Sequence, residues 1–302
     1  MAGRVVIAGG SGFIGSELRQ WLEQRGYECL VLTRQEPSGP DERRWDARTE
    51  GEWSHELEGA RALVNLSGSN IARKWDERVV QGLFDSRLGP TRLLGQVLER
   101  LETPPAVWIN ASGIGYYGDR GDEALDEASS AGQDTVAELA RRWEEAQDEA
   151  TLPRTRRVKL RIGLVLGRSG GAYPKLAMLT RLFLGGHVGS GRQWTSWIHV
   201  RDLARMFEFA IESDVSGPLN AVSPEPVTNR DFMAAMRRAH RRPWSPPLPA
   251  FMLRLANLFG APEPSLLLTG QRASPRGALE AGFKFELPHL EQALEDLKET
   301  RP

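Results

Sequence analysis

The sequence predicts an α/β protein built on a parallel sheet, and three observations carry that expectation. Short β-branched runs alternate with helical patterns through the first half of the chain, as strands joined by crossover helices do. The first of those runs ends in a glycine-rich loop, Gly9 to Gly15, that opens a helix. The length of 302 residues, with 40% hydrophobic and 26% charged side chains, suits about two domains or one large α/β unit. It also excludes wholesale disorder.

Arg4 to Ala8 (RVVIA) is a short apolar run ending in glycines, suited to a buried strand. From Gly12 to Gln24, Ile14, Leu18, Trp21 and Leu22 recur at helical spacing, and Gly26 is placed to end that helix. Glu28 to Thr33 gives a second strand, closed by a polar stretch from Arg34 to Pro40. Ala62 to Leu66 gives a third and Ala106 to Ala111 a fourth, with a helix from Asp76 to Leu101 between them. Gly89-Pro90 predicts a break in that helix. Asp134 to Ala150 is amphipathic and helical, and Val158 to Leu166 reads as a fifth strand. The pattern loosens over residues 168–200, which hold six glycines and two tryptophans. Beyond it come a helix from Arg201 to Ser213, a strand from Pro218 to Val222 and a helix near Asn229 to His240. A proline-rich joint, Pro243 to Pro249, leads to helices near Ala250 to Phe259 and Leu290 to Lys298. Arg237 to Arg242 is a basic run that reads as a solvated helix end.

Composition excludes several functions. Lys plus Arg is 39 and Asp plus Glu is 40, for a formal charge of −1. That balance gives no general pull toward nucleic acid or an anionic membrane, so neither is expected as a partner. The single cysteine, Cys29, allows no intramolecular disulfide, and no Cys/His cluster offers a metal site. No apolar run approaches the ~20 residues of a membrane span. A soluble protein of the reducing cytoplasm is expected, with a small molecule as substrate. Oligomeric state is not legible.

The loop Gly9-Gly10-Ser11-Gly12-Phe13-Ile14-Gly15 carries the main functional expectation. Glycines at 9, 12 and 15 allow a tight turn, a close approach to pyrophosphate and close packing of helix on strand. The helix start adds free N–H groups and a positive dipole end. In its strand–turn–helix setting the loop predicts a dinucleotide site. The second strand ends Leu32-Thr33-Arg34, with no carboxylate until Glu36. A carboxylate there would hold a ribose 2′-hydroxyl, whereas Arg34 suits a 2′-phosphate and Thr33 supplies a hydroxyl. The expected cofactor is NADP(H).

Together these residues resemble the extended short-chain dehydrogenase/reductase superfamily, in its NAD(P)-dependent epimerase/dehydratase branch. The shared stretches are GGSGFIG, Asn65-Leu66-Ser67-Gly68, Leu160 to Gly167 and Trp197 to Ala204. The match is closer to an atypical subgroup called epimerase family proteins, through NLSGSNI, Ser86-Arg87, Gly115-Tyr116-Tyr117-Gly118 and Gly189 to Leu203. The resemblance covers about residues 4–298. It implies a Rossmann doubly wound sheet of about seven strands with a smaller C-terminal substrate lobe. The Rossmann part would take residues 1–167, with 198–222 returning to it, and the lobe residues 168–197 and 223–302. It further implies that Leu66, Ser67, Gly68, Arg87 and Val165 line the NADP cleft beside Gly9, Ser11, Gly12, Phe13, Ile14 and Gly15.

The superfamily's chemistry is missing. It uses Ser or Thr with Tyr-x-x-x-Lys, in which Lys lowers the Tyr pKa so that the phenol exchanges a proton with substrate. The five lysines have Asn70, Thr155, Gly171, Glu280 and Leu294 four positions before them, and none is tyrosine. Aligned on Trp143-Glu144, the helix that should carry the pair has Val136 and Ala140 instead. Ser112 lies five residues before Tyr117 where the superfamily spacing is four, which falls on Gly113. Candidate substitutes are Ser112, Tyr116 and Tyr117, with Arg161 and His199 as further polar groups near the cleft. Trp194 and Trp197 either wall a substrate pocket or fill the core of the lobe. Two functions stay open. One is an NADP-dependent oxidoreductase or epimerase-like enzyme acting on a small hydroxyl or carbonyl substrate. The other is an NADP(H)-holding sensor or regulator without turnover.

Overall fold

The computed structural model describes residues 2–298. Seven strands form one parallel sheet: β1 (Arg4–Ala8), β2 (Glu28–Thr33), β3 (Glu42–Arg44), β4 (Ala62–Asn65), β5 (Val107–Gly113), β6 (Arg156–Ile162) and, later in the chain, β9 (Gly217–Ala221). Their order is β9-β6-β5-β4-β1-β2-β3. The order reverses between β1 and β4, the switch point where open α/β sheets bind ligands. The seven-stranded Rossmann-like sheet is thus present, although β3 lies beyond the polar stretch and was not expected from its sequence.

Alternate residues of the strands feed two cores. Val5 and Ile7 join Leu18 and Leu22 of α1 (Phe13–Glu23) and Phe207 of α5 (Val200–Glu212) on one face. Val6, Ala8, Leu30 and Leu32 join Leu94 and Val97 of α2 (Glu77–Leu98) on the other. Burial on both faces is why these strands read as continuous apolar runs rather than alternating ones. α3 (Thr135–Asp148) packs beside α2, with its N-terminus capped by Asp134.

Three expectations change. α2 runs unbroken through Pro90. Leu88, Pro90, Thr91, Leu93 and Leu94 are all buried there, and that burial outweighs the ~3 kcal/mol an interior proline costs. The fifth strand is two strands, β6 and β7 (Leu164–Leu166), parted at Gly163. A Cβ on Gly163 would lie 2.6 Å from the Ser196 carbonyl oxygen. β7 therefore leaves the main sheet and pairs in parallel with β8 (Trp197–His199). Finally, the loose glycine-rich segment contains a helix, α4 (Tyr173–Arg181), started by Pro174 in its first turn.

The C-terminal part has its own core. Tyr173 and Ala177 of α4 meet Phe232 and Met236 of α6 (Asn229–Ala239) and Leu290 and Leu294 of the last helix, α8 (Leu290–Lys298). Trp197 is fully buried there, so it is core and not pocket wall. A nine-residue helix, α7 (Ala250–Leu258), lies outside this core with no buried residue. Trp194 remains half-exposed, its indole donating to Asp122 at 2.8 Å.

Candidate functional site

A cleft of about 960 Å³ opens at the C-terminal ends of β1, β2 and β4. Gly9, Ser11 and Gly12 form its floor, Leu66, Ser67 and Gly68 one wall, and Arg34 with Gln35 one end. Each loop glycine has its own reason. Gly9 sits at φ +75°, and a Cβ there would lie 3.1 Å from the Leu66 carbonyl and the Ser67 nitrogen. A Cβ on Gly15 would fall against the Gly10 carbonyl, so the helix can start this close to the strand only with glycine. A Cβ on Gly12 would meet only the Gly9 carbonyl oxygen, at 3.7 Å. The space over Gly12 is therefore free of protein. No side chain caps α1, and its first turn carries no acid. Its N–H groups and dipole are left for an anion.

The fit to a phosphate-bearing dinucleotide has independent support. The Ser67 hydroxyl is buried against the cleft with no hydrogen-bond partner among the described residues. Such a group normally finds one, and a bound ligand would supply it. Its backbone is fixed from below: the Ser67 N–H donates to Asn65 Oδ1 at 3.1 Å. The Asn65 amide donates in turn to Asn110 at 2.6 Å and Thr91 at 2.9 Å.

At the end of β2, Thr33 is buried and its Oγ1 accepts the Gln35 N–H at 3.2 Å. It shapes the turn that presents Arg34, which is exposed at the rim. Arg48, Arg73 and Arg78 line the same cleft and were not expected. They come from separate loops and a helix start, so no local motif marks them. Asp46 also lies there, but its carboxylate accepts the Arg48 and Thr49 N–H groups at 2.8 Å each. Those bonds hold its pKa down to about 2.

Other expected cofactor contacts have different places. The Phe13 ring packs on Gly167, Gly170 and Gly171. Phe13 and Ile14 pack against the apolar core, which also takes in Val165. What Phe13 and Ile14 can offer a ligand is backbone at the helix start. Arg87 donates to the carbonyls of Leu83 and Ser69 at 3.1 Å each and lies 5.1 Å from the Trp143 ring. Burial holds its pKa down to about 10. It braces the Ser67–Ser69 wall from behind.

The polar groups expected to do chemistry form one buried network. Ser112 of β5 and Arg161 of β6 are neighbours in register. Glu144 of α3 reaches both. It accepts Ser112 Oγ at 2.7 Å and receives Arg161 Nε and one terminal nitrogen at 2.8 Å each. The other terminal nitrogen of Arg161 donates to the Tyr117 hydroxyl at 3.0 Å, and that hydroxyl donates to Asn220 Oδ1 at 2.7 Å. Tyr117 is fully buried, and burial pushes its pKa up to about 12. Ser112 has given its only proton to a carboxylate. Neither hydroxyl has a proton left to donate to a substrate, because each is already spent on protein. Tyr116 differs. It is half-exposed, its ring lies 3.5 Å from the Arg161 guanidinium, and its phenol is not tied into the network. Val136 packs directly on Gly115, and Ala140 is buried. The helix face that carries a proton relay in the superfamily is apolar packing here. Sequence reading missed Glu144 and Asn220, since only the register of β5, β6 and β9, with α3 packed across them, brings them to Ser112 and Tyr117.

His199 is placed elsewhere. It caps α5, with Nδ1 accepting the Arg201 N–H at 3.1 Å, and its Nε2 lies 3.3 Å from Asp296. It lines a different, smaller cleft beside α1 and α8. Burial pulls its pKa down to about 4. The unfolded chain binds this proton below about pH 6.5 and the folded chain does not until about pH 4. The expected outcome is that stability falls as pH drops from 6.5 toward 4, and less so in His199→Gln, in urea unfolding followed across that range. Among the described residues no group of His, Cys, Asp and Glu is arranged to hold a metal.

Comparison with known proteins agrees with this architecture. Residues 5–222 match the NAD dependent epimerase/dehydratase family, and residues 248–297 match a domain of unknown function (DUF1731). The bovine epimerase family protein SDR39U1 is 38% identical over 97% of this chain and 99% of its own length. A crystal structure of human epimerase family protein SDR39U1 with NADPH is similar at TM-score 0.89 and 36% identity, covering 97% of this chain and 98% of that one. A nucleoside-diphosphate sugar epimerase from Corynebacterium glutamicum matches at TM-score 0.80 and 32% identity, over 98% of this chain and 58% of that one. By its full-length relatives and by the family match over most of its length, this chain belongs to the NAD-dependent epimerase/dehydratase family.

Proposed function

We propose that the cleft holds NADP(H) and that the chain is an oxidoreductase or epimerase-like protein for a small hydroxyl or carbonyl substrate, with a proton route other than the Tyr/Lys pair. The observation that carries the cofactor half is the open space over Gly12 at an uncapped helix start. Arg34 in place of a carboxylate favours a 2′-phosphate, and the NADPH bound by the human relative supports the same choice. In this reading Gly9 and Gly12 admit the pyrophosphate, and the Ser67 hydroxyl finds its missing partner in the ligand. Arg34 takes the 2′-phosphate and Arg87 keeps the Ser67–Ser69 wall in place. The cofactor, when bound, supplies hydride chemistry.

Tyr116 is then the acid or base that meets the substrate. It has the one phenol of the Gly115–Gly118 turn that the buried network does not hold. Ser112 and Tyr117 act as positioning residues, since Glu144, Arg161 and Asn220 fix them. A second reading has a specific observation behind it. Both network hydroxyls are committed to protein, so the chain is also suited to hold NADP(H) for sensing or regulation without turnover.

A panel of small ketones and aldehydes followed by NADPH absorbance, with nucleotide-sugars followed by product analysis because epimerisation returns the cofactor unchanged, separates the two. For an enzyme, Tyr116→Phe should cost the best substrate about 100-fold or more in kcat, within the 10²–10⁴-fold span of acid–base assistance. Tyr117→Phe should act mainly on stability. Tight NADPH binding with no turnover anywhere in the panel would favour the holding function. Rapid turnover that Tyr116→Phe leaves unchanged would remove Tyr116 from the reaction.

A further inference from the structure

The total charge of −1 conceals a strong segregation. Residues 168–200 and 232–262 contain no Asp or Glu at all, yet carry nine of the Lys and Arg residues. The two segments lie side by side. Leu248 donates its N–H to the His187 carbonyl at 2.8 Å, and Arg237 donates to the Gly185 carbonyl at 2.8 Å. Arg242 donates to the Arg181 carbonyl at 3.0 Å, its guanidinium lying 4.6 Å from the Phe183 ring. Elsewhere most surface arginines have carboxylate partners. Here, among the described residues, Arg238 pairs with Glu291, whereas Lys175, Arg181, Arg237, Arg241, Arg242 and Arg254 have no ion-pair partner.

The same two segments hold the exposed apolar surface. Of twelve large hydrophobic side chains that stand exposed, all but Leu267 and Leu279 belong to them. Phe259 is 86% exposed, Leu258 69%, Trp244 and Phe251 66% each, and Leu182 62%. Phe251, Leu255, Leu258 and Phe259 fall at i, i+4, i+7 and i+8, one stripe along α7 and its end. Exposed apolar side chains gathered in this way mark an interaction surface.

From this arrangement we infer that the face formed by the end of α4, the proline-rich joint and α7 docks on the surface of an anionic lipid bilayer. Aromatic and aliphatic groups would enter the headgroup boundary while the unpaired cations meet lipid phosphates. The apolar element is a helix with no buried residue, which suits insertion into a soft interface better than receipt of a peptide in a groove. A second copy of the chain is disfavoured by charge. A two-fold interface through this face would set its unpaired cations against the same unpaired cations. No helix among the described residues is long and apolar enough to cross a membrane, so the contact is a surface one. Net charge alone argues against a membrane partner, but the distribution of that charge reverses the argument.

The test is sedimentation of the full chain with vesicles of phosphatidylcholine alone or mixed with phosphatidylglycerol. The mixed vesicles should carry the protein down, less so as salt rises, while pure phosphatidylcholine leaves most of it in solution. Phe259→Glu and Leu258→Glu change largely exposed side chains, so the melting temperature should hold while sedimentation is lost. Arg241→Ala and Arg242→Ala should each weaken partitioning about fivefold, the ratio that ~1 kcal/mol per cation near the surface implies. Equal sedimentation with both vesicles, or none with either, would overturn the inference. So would a concentration-dependent dimer, or capture of an acidic protein, that Phe259→Glu abolishes in a chain that ignores vesicles.

Discussion

Gly12→Val is expected to abolish dinucleotide binding while the protein still folds. Gly12 has φ −83° and ψ 174°, extended backbone that valine adopts without strain. Nothing but the Gly9 carbonyl oxygen stands within 4 Å of the new Cβ, so the folded state has room for it. In the proposed reading, that room admits a pyrophosphate to the start of α1. Two added methyl groups would keep phosphate from those N–H groups, and Kd for NADPH should rise at least about 100-fold, ~2.7 kcal/mol. Calorimetric titration measures the loss, and a thermal melt shows that the fold survives. Unchanged binding would place the phosphates elsewhere.

The other large effect falls on stability. Glu144 and Arg161 form a two-pronged ion pair with side chains only 7% and 4% exposed. Glu144→Ala would leave a buried guanidinium without its carboxylate and Ser112 without its acceptor. Removing one partner of such a pair costs about 3–5 kcal/mol. Urea unfolding should show that loss, and Glu144→Leu with Arg161→Met should recover part of it, because a matched apolar pair leaves no orphaned charge. A loss under about 1 kcal/mol for Glu144→Ala would mean that water reaches the network, contrary to its burial.

The same network shows what a sequence can and cannot disclose. The cofactor half was legible because its signals are local. Gly9, Gly12 and Gly15 act within one turn, and Arg34 follows β2 directly. The absence of Tyr-x-x-x-Lys was equally plain, since counting five lysines settles it. The fate of Ser112 and Tyr117 was not legible. Ser112 meets Glu144 32 positions away, and Tyr117 meets Asn220 103 positions away. Those contacts exist only once β5, β6 and β9 are in register and α3 lies across them. The splitting of the fifth strand at Gly163 is similar, because the apolar run continues through it and the close neighbours of Gly163, the Ser196 backbone and Val222, are distant in sequence. Pro90 misled in the opposite direction: local chemistry predicts a break, and burial of the surrounding helix overrides it. Charge segregation in the C-terminal segments was visible in the sequence, but adding it into one total hid it.

The most direct measurement is a paired titration of the unmodified chain with NADPH and NADH, read by quenching of its nine tryptophans. With Arg34 on the 2′-phosphate, NADPH should bind at least about tenfold tighter, since a charge-assisted contact is worth ~1.5–3 kcal/mol. Arg34→Ala should erase most of that difference and leave NADH binding nearly as it was. Equal affinity for the two nucleotides, or a preference that survives Arg34→Ala, would contradict the assignment of this cleft.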